Sequence, residues 1–325
     1  MVPVLILALL GAIILVGFLA FAVTSLREGE ERAAGIASAI AVVASLPFFL
    51  SVFLPAWIQA LVLAIALLVG ITAAILFLLP IGRAWPANDV PQVRIDERDI
   101  MFARGRLEAG SPNYEAYYSM RPENKAGDDK TRSLPGLLSP RSSASHPLVF
   151  ASTGASFGLT HALRDAVDGT PAPELLEVDA ASITTFVKDL TCYYGALAVG
   201  VAEMQPYHIY SHIGRGSGQY GAPINLEHRY GIAFTVEMDL ELASTAPYAP
   251  TVMESARQYV ESAKVAVQLA NFIRGLGYSA RAHIDGNYRV DAPLVARDAG
   301  LGEIGRMGLL RTPGLGPRVR LGGVS

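Results

Sequence analysis

Cysteine is almost missing from this chain of 325 residues: Cys192 is the only one. One thiol excludes a disulfide framework within the chain, a zinc site built on cysteines, and any cysteine-ligated cluster held by these residues alone. Cys192 itself reads as a buried structural thiol. A basic excess is missing as well. With 26 Lys and Arg against 29 Asp and Glu, a formal net charge of −3 and a pI near 6.1, the chain has no electrostatic footprint for nucleic acid. Charged residues make up only 17% of the chain against 51% hydrophobic, and a mean hydropathy of +0.35 is high for a soluble protein.

The hydrophobic excess lies at one end. Residues 4–23 carry no charge, and at about 1.5 Å per residue such a helix crosses a hydrocarbon core of roughly 30 Å. Residues 33–54 and 60–79 repeat the pattern, with Pro47 kinking the second without forbidding a span. A cleaved signal peptide would account for the first stretch alone and needs a basic start, which Met1-Val2-Pro3-Val4 lacks. Residues 1–82 are therefore expected to form a three-span membrane anchor. Arg27 and Arg32 in the first loop, and Arg83, Arg94 and Arg98 after the third span, place that loop and the C-terminal region on the cytoplasmic side of the cell membrane.

Past Pro80 the composition turns polar, and residues 83–145 read as a charged, proline-broken surface segment. Residues 146–325 then read as a mixed α/β domain. Gly154-Ala155-Ser156-Phe157-Gly158 fits G-x-S-x-G, with a strand expected before it and a helix after. Asp239 and His283 would complete a serine hydrolase triad in that chain order. A helix is expected over 181–194, with Ile183, Phe186, Val187 and Leu190 on one face, followed by a buried strand over 196–202. His208 and His212, four apart beside Tyr207 and Tyr210, read as imidazoles lining a pocket or packed in a core, with a metal pair lacking a third ligand as the alternative. The loop Gly214 to Gly218 presents Arg215 either to an anionic ligand or to solvent. A central strand is expected around Ile232 to Val236. A long helix then opens on a Thr251-x-x-Glu254 capping box and stops at Gly275 and Gly277. On it Ser255 and Tyr259 share a face. Tyr278 to Ile284 reads as a further strand.

The last stretch, Ala299 to Leu321, sets glycines at short intervals among Arg306, Arg311, Arg318 and Arg320. Such a backbone can press close to a large ligand and hold its anionic groups, so the stretch reads as ligand-facing. Gly300-x-Gly302-x-x-Gly305 also matches a dinucleotide fingerprint, but a short helix precedes it, Pro313 and Gly314 break the run after it, and no acid comes after Glu303.

The whole stretch resembles the signature of corrinoid-dependent reductive dehalogenases and, more distantly, epoxyqueuosine reductase. The run Asp96-Glu97-Arg98-Asp99-Ile100-Met101-Phe102-Ala103-Arg104 resembles the segment that precedes the dehalogenase catalytic domain, which extends the likeness over residues 93–325. The first three spans resemble that family's small membrane anchor, here fused to the catalytic part, and no Arg-Arg export signal stands near the start.

The resemblance implies a nitroreductase-like α/β fold supporting cobalamin, and reductive removal of halide from an organohalide, with electrons supplied by a membrane donor. It implies Tyr259 as proton donor, Arg320 as the cation beside its phenolate, and Asn287, Gly300, Gly302, Arg306 and Arg318 around the cofactor. Tyr248 is a substitute for Tyr259, and Arg306 or Arg318 for Arg320. No protein side chain is expected to ligate a metal within this chain. Two 4Fe-4S clusters are expected only from cysteines beyond Ser325, so the sequence reads as partial, and a noncatalytic membrane-anchored domain is the remaining alternative.

Overall fold

The computed structural model describes residues 2–78 and 90–325, and the chain divides into two compact units, Met1–Pro86 and Ala87–Ser325. Arg83 and the expected boundary at 82/83 lie outside the described residues.

In the first unit, helices α1 (Val2–Arg27), α2 (Glu31–Ser51) and α3 (Ala56–Leu78) occupy the three uncharged stretches. Each is long and apolar enough to cross a membrane. The buried residues of α2 include Ala34, Ala37, Ala41 and Ser45, a row of small side chains of the kind that brings helices close in lipid. On α1, a side chain at Gly11 would stand 3.1 Å from the Phe49 ring. Gln59 is buried and donates through Nε2 to the carbonyls of Val52 (3.2 Å) and Leu54 (3.0 Å). Carbonyls just beyond the end of α2, which the helix cannot satisfy itself, thus find a donor.

The second unit begins with the polar segment, which is built into the fold instead of trailing as a linker. The Arg94 guanidinium donates to the carbonyls of Ile209 (3.1 Å), Tyr210 and Ile224 (2.7 Å). Three short helices come next: α4 (Met101–Arg104), α5 (Pro112–Met120) and α6 (Pro122–Arg132). Tyr114, Tyr117 and Tyr118 are buried among them, with their hydroxyls donating to Asp129, Asp99 and Asp128 at 2.8, 3.0 and 2.9 Å.

Helices α7 (Pro147–Ala162) and α8 (Ala180–Tyr193) lead to strand β1 (Ala198–Glu203) and strand β2 (Tyr230–Glu237). After the short α9 (Leu240–Ala243) comes α10 (Ala249–Gly275), the longest helix of the unit, then β3 (Ala282–His283) and α11 (Ala292–Asp298). Strands β4 (Glu303–Ile304) and β5 (Leu310–Arg311) form a small hairpin, and β6 (Val319–Val324) returns to the main sheet. That sheet has the order β1-β2-β6-β3 and every pairing is antiparallel.

Side chains alternate across the sheet and so divide the core into two layers. Phe234, Val236 and Val324 pack with Ala263, Ala266, Leu269 and Ala270 of α10, whose small residues let the helix lie close. Ala233 and Leu321 face the other way, against Val295 and Ala296 of α11. Two contacts of the main sheet leave no room for a side chain. A Cβ at Gly322 would meet the Phe234 ring at 2.4 Å, and one at Gly200 would meet the Ala299 carbonyl at 2.2 Å.

Several expectations change. Residues 147–162 form one helix with no strand before Ser156, so there is no nucleophile elbow. Asp239 instead caps α9 by accepting from Leu242 N at 2.9 Å, and His283 bonds to Ser325 Oγ at 2.8 Å, so the serine hydrolase reading fails. The capping box does not form: α10 starts earlier, Thr251 donates to the Leu242 carbonyl at 3.1 Å, and Glu254 accepts from Asp239 N at 2.7 Å. The strand expected over 278–284 contracts to two residues.

Cys192 is exposed, not buried, because α8 turns Val187 and Thr191 inward; Phe186 is half-exposed against Phe272. The C-terminal stretch is not loop throughout, since β6 is an inner strand of the sheet. The Gly300–Gly305 run comes after a helix and leads into a hairpin, which removes the dinucleotide reading.

Candidate active site on the α10 face of the sheet

Strand β6 and helix α10 bring together residues 61 positions apart. Arg320 lies opposite Val236 in the β2–β6 register and projects on the α10 face. There its guanidinium carbon stands 4.3 Å from the centre of the Tyr259 ring, and Nη1 donates to the Tyr259 hydroxyl at 3.3 Å. One helical turn earlier on α10, Ser255 Oγ accepts from Arg320 Nη2, which also points at Met238 Sδ, 3.8 Å away. Arg320 Nε is buried with no hydrogen-bond partner. The Phe157 ring of α7 stands 6.2 Å from that of Tyr259 at 41°. Tyr259 and Arg320 are both half-buried, so the pair is sheltered but reachable.

The other candidates fall elsewhere. Asn287 is fully buried and its polar atoms are taken: Oδ1 accepts from Arg281 Nη2 at 2.8 Å and Ser217 Oγ at 3.2 Å, while Nδ2 donates to the Arg164 carbonyl at 3.2 Å. Its neighbour Tyr288 lies close enough to Tyr259, Asp285 and Arg320 to feel their charges, and burial pushes its phenol up from the ordinary value. Arg318 donates to Glu237 Oε1 at 2.7 Å and to the Met238 carbonyl, so its charge is already matched. Arg306 is exposed. Tyr248 is 65% exposed at the start of α10, about three turns from Tyr259. Gly300 has φ +79° with nothing within 4 Å of an added Cβ, whereas a Cβ at Gly302 would strike the Arg311 carbonyl at 2.2 Å.

The two histidines of the 208–212 stretch diverge. His208 is buried, accepts from Gln205 N on Nδ1 (3.0 Å) and faces Asp298 through Nε2 (2.8 Å); His212 meets Ser211 Oγ (2.9 Å) and Asp96 (3.4 Å). Among the described residues no group of three or more His, Cys, Asp or Glu is arranged to hold a metal ion. The Gly214–Gly218 loop faces neither solvent nor an outside anion with its cation: Arg215 is buried against Glu97.

Sequence reasoning did not find Phe157, Met238 or Tyr288. Nothing in the spacing signals Met238, whose place is set by the β2–β6 register.

A second polar chain runs beneath β6. Arg289 N donates to His283 Nδ1 at 3.2 Å, which leaves the His283 proton on Nε2, facing Ser325 Oγ at 2.8 Å. The Ser325 hydroxyl then donates to His228 Nδ1 at 2.8 Å, and His228 Nε2 to Ser279 Oγ at 2.9 Å. Burial, with Arg281, His228 and Arg289 nearby, holds His283 well below the usual imidazole range. Burial and then Arg281 lower His228 in the same direction.

Both groups are therefore neutral in the folded unit and take up protons more readily when unfolded, where imidazole titrates near 6.5. Their contribution is complete above that pH and is lost as pH falls below it. The urea midpoint of the second unit is expected to drop between pH 7.5 and pH 5.5, a range above most carboxylate titration. A midpoint flat across that range would refute this.

No protein-family model matches the chain. The tetrachloroethene reductive dehalogenase of Desulfitobacterium hafniense is 39% identical over 90 residues, 28% of this chain and 16% of that protein. The protein of the same name from Dehalobacter restrictus matches to the same extent. The matched region thus spans about a sixth of the length of these relatives.

Among solved structures, the catabolic reductive dehalogenase NpRdhA in complex with 3-bromo-4-hydroxybenzoic acid superposes with a TM-score of 0.56 at 21% identity, over 74% of this chain and 32% of that one. A reductive dehalogenase structure described as suggesting a mechanism for B12-dependent dehalogenation gives 0.53 at 21% identity, over 73% and 30%. The chain has the reductive dehalogenase fold, and its resemblance to the catalytic subunits of that family holds in both sequence and structure.

Proposed function

We propose that the second unit is the corrinoid-binding part of a membrane-anchored reductive dehalogenase, in which Tyr259 delivers a proton to the substrate carbon. The observation that carries this reading is the Arg320 guanidinium stacked on the Tyr259 ring and bonded to its hydroxyl. A tyrosine gives up a proton poorly near neutral pH. An adjacent cation that cannot lose its own charge favours the phenolate left behind. The overall change is R–X + 2 e⁻ + H⁺ → R–H + X⁻, with the proton passing from the Tyr259 hydroxyl to the carbon that loses halide.

The residues present fit a corrinoid. Arg320 Nε is a buried donor without a partner, Arg306 is exposed beside the hairpin, and Gly300, Gly308, Gly314 and Gly316 offer bare backbone with nothing within 4 Å. Those groups suit the amide-bearing rim of a large flat ligand, with Asn287 holding the turn behind Tyr288. A bound corrinoid would supply the electron pair for breaking the carbon–halogen bond. The single exposed Cys192 does not fit an iron–sulfur cluster, and no step here runs through one. The apolar helices α1–α3 support anchoring in a lipid bilayer, and the Arg27, Arg32, Arg94 and Arg98 pattern supports a cytoplasmic second unit; its electrons would then come from a membrane donor.

The test is anaerobic. The detergent-solubilised protein, loaded with cobalamin, desalted and reduced by a low-potential titanium(III) chelate, is expected to retain the corrinoid and to release bromide from a bromophenol faster than free cobalamin does. Failure to retain corrinoid would overturn the reading in favour of a noncatalytic anchored domain.

A further inference from the structure

We propose that Ser255 is a positioning residue, whose hydroxyl fixes the Arg320 guanidinium so that one of its nitrogens meets the Tyr259 oxygen. The inference rests on the roles proposed for Tyr259 and Arg320 in the reaction.

A guanidinium is planar, and its donors point in fixed directions. Two anchored directions define its plane; one leaves it free to swivel. In Arg320, Nε has no partner, so orientation depends on the two terminal nitrogens. Nη1 reaches Tyr259 at 3.3 Å, a long and therefore weak bond, and the same Tyr259 ring lies beneath the guanidinium carbon at 4.3 Å. Stacking of a cation on a ring holds it near the face but sets no angle within the plane.

The remaining anchor is Nη2. Its acceptors are Ser255 Oγ and the Met238 thioether, the latter at 3.8 Å and a weak acceptor. Ser255 is therefore the one strong hydrogen bond that fixes the in-plane rotation.

The placement is inherited from the helix. Ser255 and Tyr259 are four apart on α10 and project from one face, so the helix itself sets the separation of the two oxygens. Each oxygen meets a different terminal nitrogen of the one guanidinium, Tyr259 at Nη1 and Ser255 at Nη2. Ser255 is assigned no contact with substrate or cofactor; it acts through Arg320.

With Ser255 replaced by alanine, the guanidinium remains charged and stacked but shifts within its plane, and the Nη1 contact with the Tyr259 oxygen is occupied only part of the time. Threonine keeps the hydroxyl and should preserve the anchor.

Two measurements on the purified full chain test this, neither of which needs turnover. The first is the rotation of the Arg320 Nη groups, read from the NMR line shapes of 15N-arginine protein and assigned with Arg320→Gln. Ser255→Ala is expected to speed that rotation about tenfold, as loss of one hydrogen bond to a charged group implies, and Ser255→Thr to restore it. The second is the 19F resonance of 3-fluorotyrosine at position 259 at pH 7. It is expected to move in Ser255→Ala in the direction, though not by the full extent, seen in Arg320→Gln.

Unchanged Nη rotation, or an unmoved 19F resonance, in Ser255→Ala overturns the proposal while leaving the Tyr259–Arg320 reading intact. A 19F resonance insensitive to Arg320→Gln sinks that reading instead, and this proposal with it. A purely packing role for Ser255 would lower thermal stability without moving either signal.

Discussion

Tyr259→Phe is expected to lower corrinoid-dependent halide release by about 10²- to 10⁴-fold, the usual contribution of a positioned general acid, while leaving the fold intact. The hydroxyl makes one hydrogen bond, at 3.3 Å from Arg320 Nη1, and the side chain is half-buried, so little structure depends on the lost oxygen. The ring stays, and with it the stacking of Arg320 and the contact with Phe157. Corrinoid retention should therefore match that of the unaltered protein, separating a lost proton donor from a lost binding site. The measurement is bromide release under reducing, anaerobic conditions at saturating substrate. A loss of less than about threefold would remove Tyr259 from the reaction. Tyr288→Phe is the informative comparison, because Tyr288 lies beside Tyr259 but burial disfavours its ionised form.

Much of the fold is legible in the order of the residues, and the illegible parts share a cause. Three uncharged runs of about twenty residues have one stable solution in lipid. The helix carrying Tyr259 and the strand carrying Phe234 can be read from local period and composition. Ser255 and Tyr259 share a face by spacing alone.

Where local pattern misjudged an element, distant partners had decided it. Residues 147–152 have the composition of a strand, yet they begin α7, which packs along α10 with Thr153 and Thr160, two turns apart, turned inward. Docking of α7 along α10 through Thr153 and Thr160 overrode strand propensity there. The buried hydroxyls return to their own helix, at Val149 O (2.7 Å) and Ser156 O (3.2 Å). The glycine-rich end reads as ligand-facing throughout. Residues 319–324 nevertheless form an inner strand because Gly322 leaves room for Phe234, a long-range contact that the sequence does not advertise.

Distant partners also set the largest expected stability effect, at Glu97. Its carboxylate is completely buried, and Arg215 opposite is 7% exposed. Oε2 accepts from Gly214 N at 2.8 Å and Arg215 N at 3.1 Å, and Oε1 from Arg215 Nε at 3.0 Å. Glu97→Ala would strip a buried guanidinium of its counter-charge and orphan two backbone donors in one step, at a cost on the order of 3–5 kcal/mol. For a unit of this size the melting temperature should fall by about ten degrees. Glu97→Gln keeps an acceptor for the backbone donors and should cost less.

The pair is not expected to be irreplaceable. A double variant, Glu97→Leu with Arg215→Met, removes both charges together and should recover much of the loss. The effect should also reach the candidate site. The loop held by Glu97 carries Ser217 onto Asn287 Oδ1 at 3.2 Å, and Gly216 lies so close that a Cβ would stand 2.4 Å from that oxygen. Loosening the loop therefore loosens Asn287 and the adjoining Tyr288, next to Tyr259. Glu97→Ala is expected to weaken corrinoid retention as well as stability, although Glu97 touches none of the proposed reacting groups. A melting temperature within about two degrees of the unaltered protein would show that this acidic residue of the Asp96–Asp99 run holds nothing together.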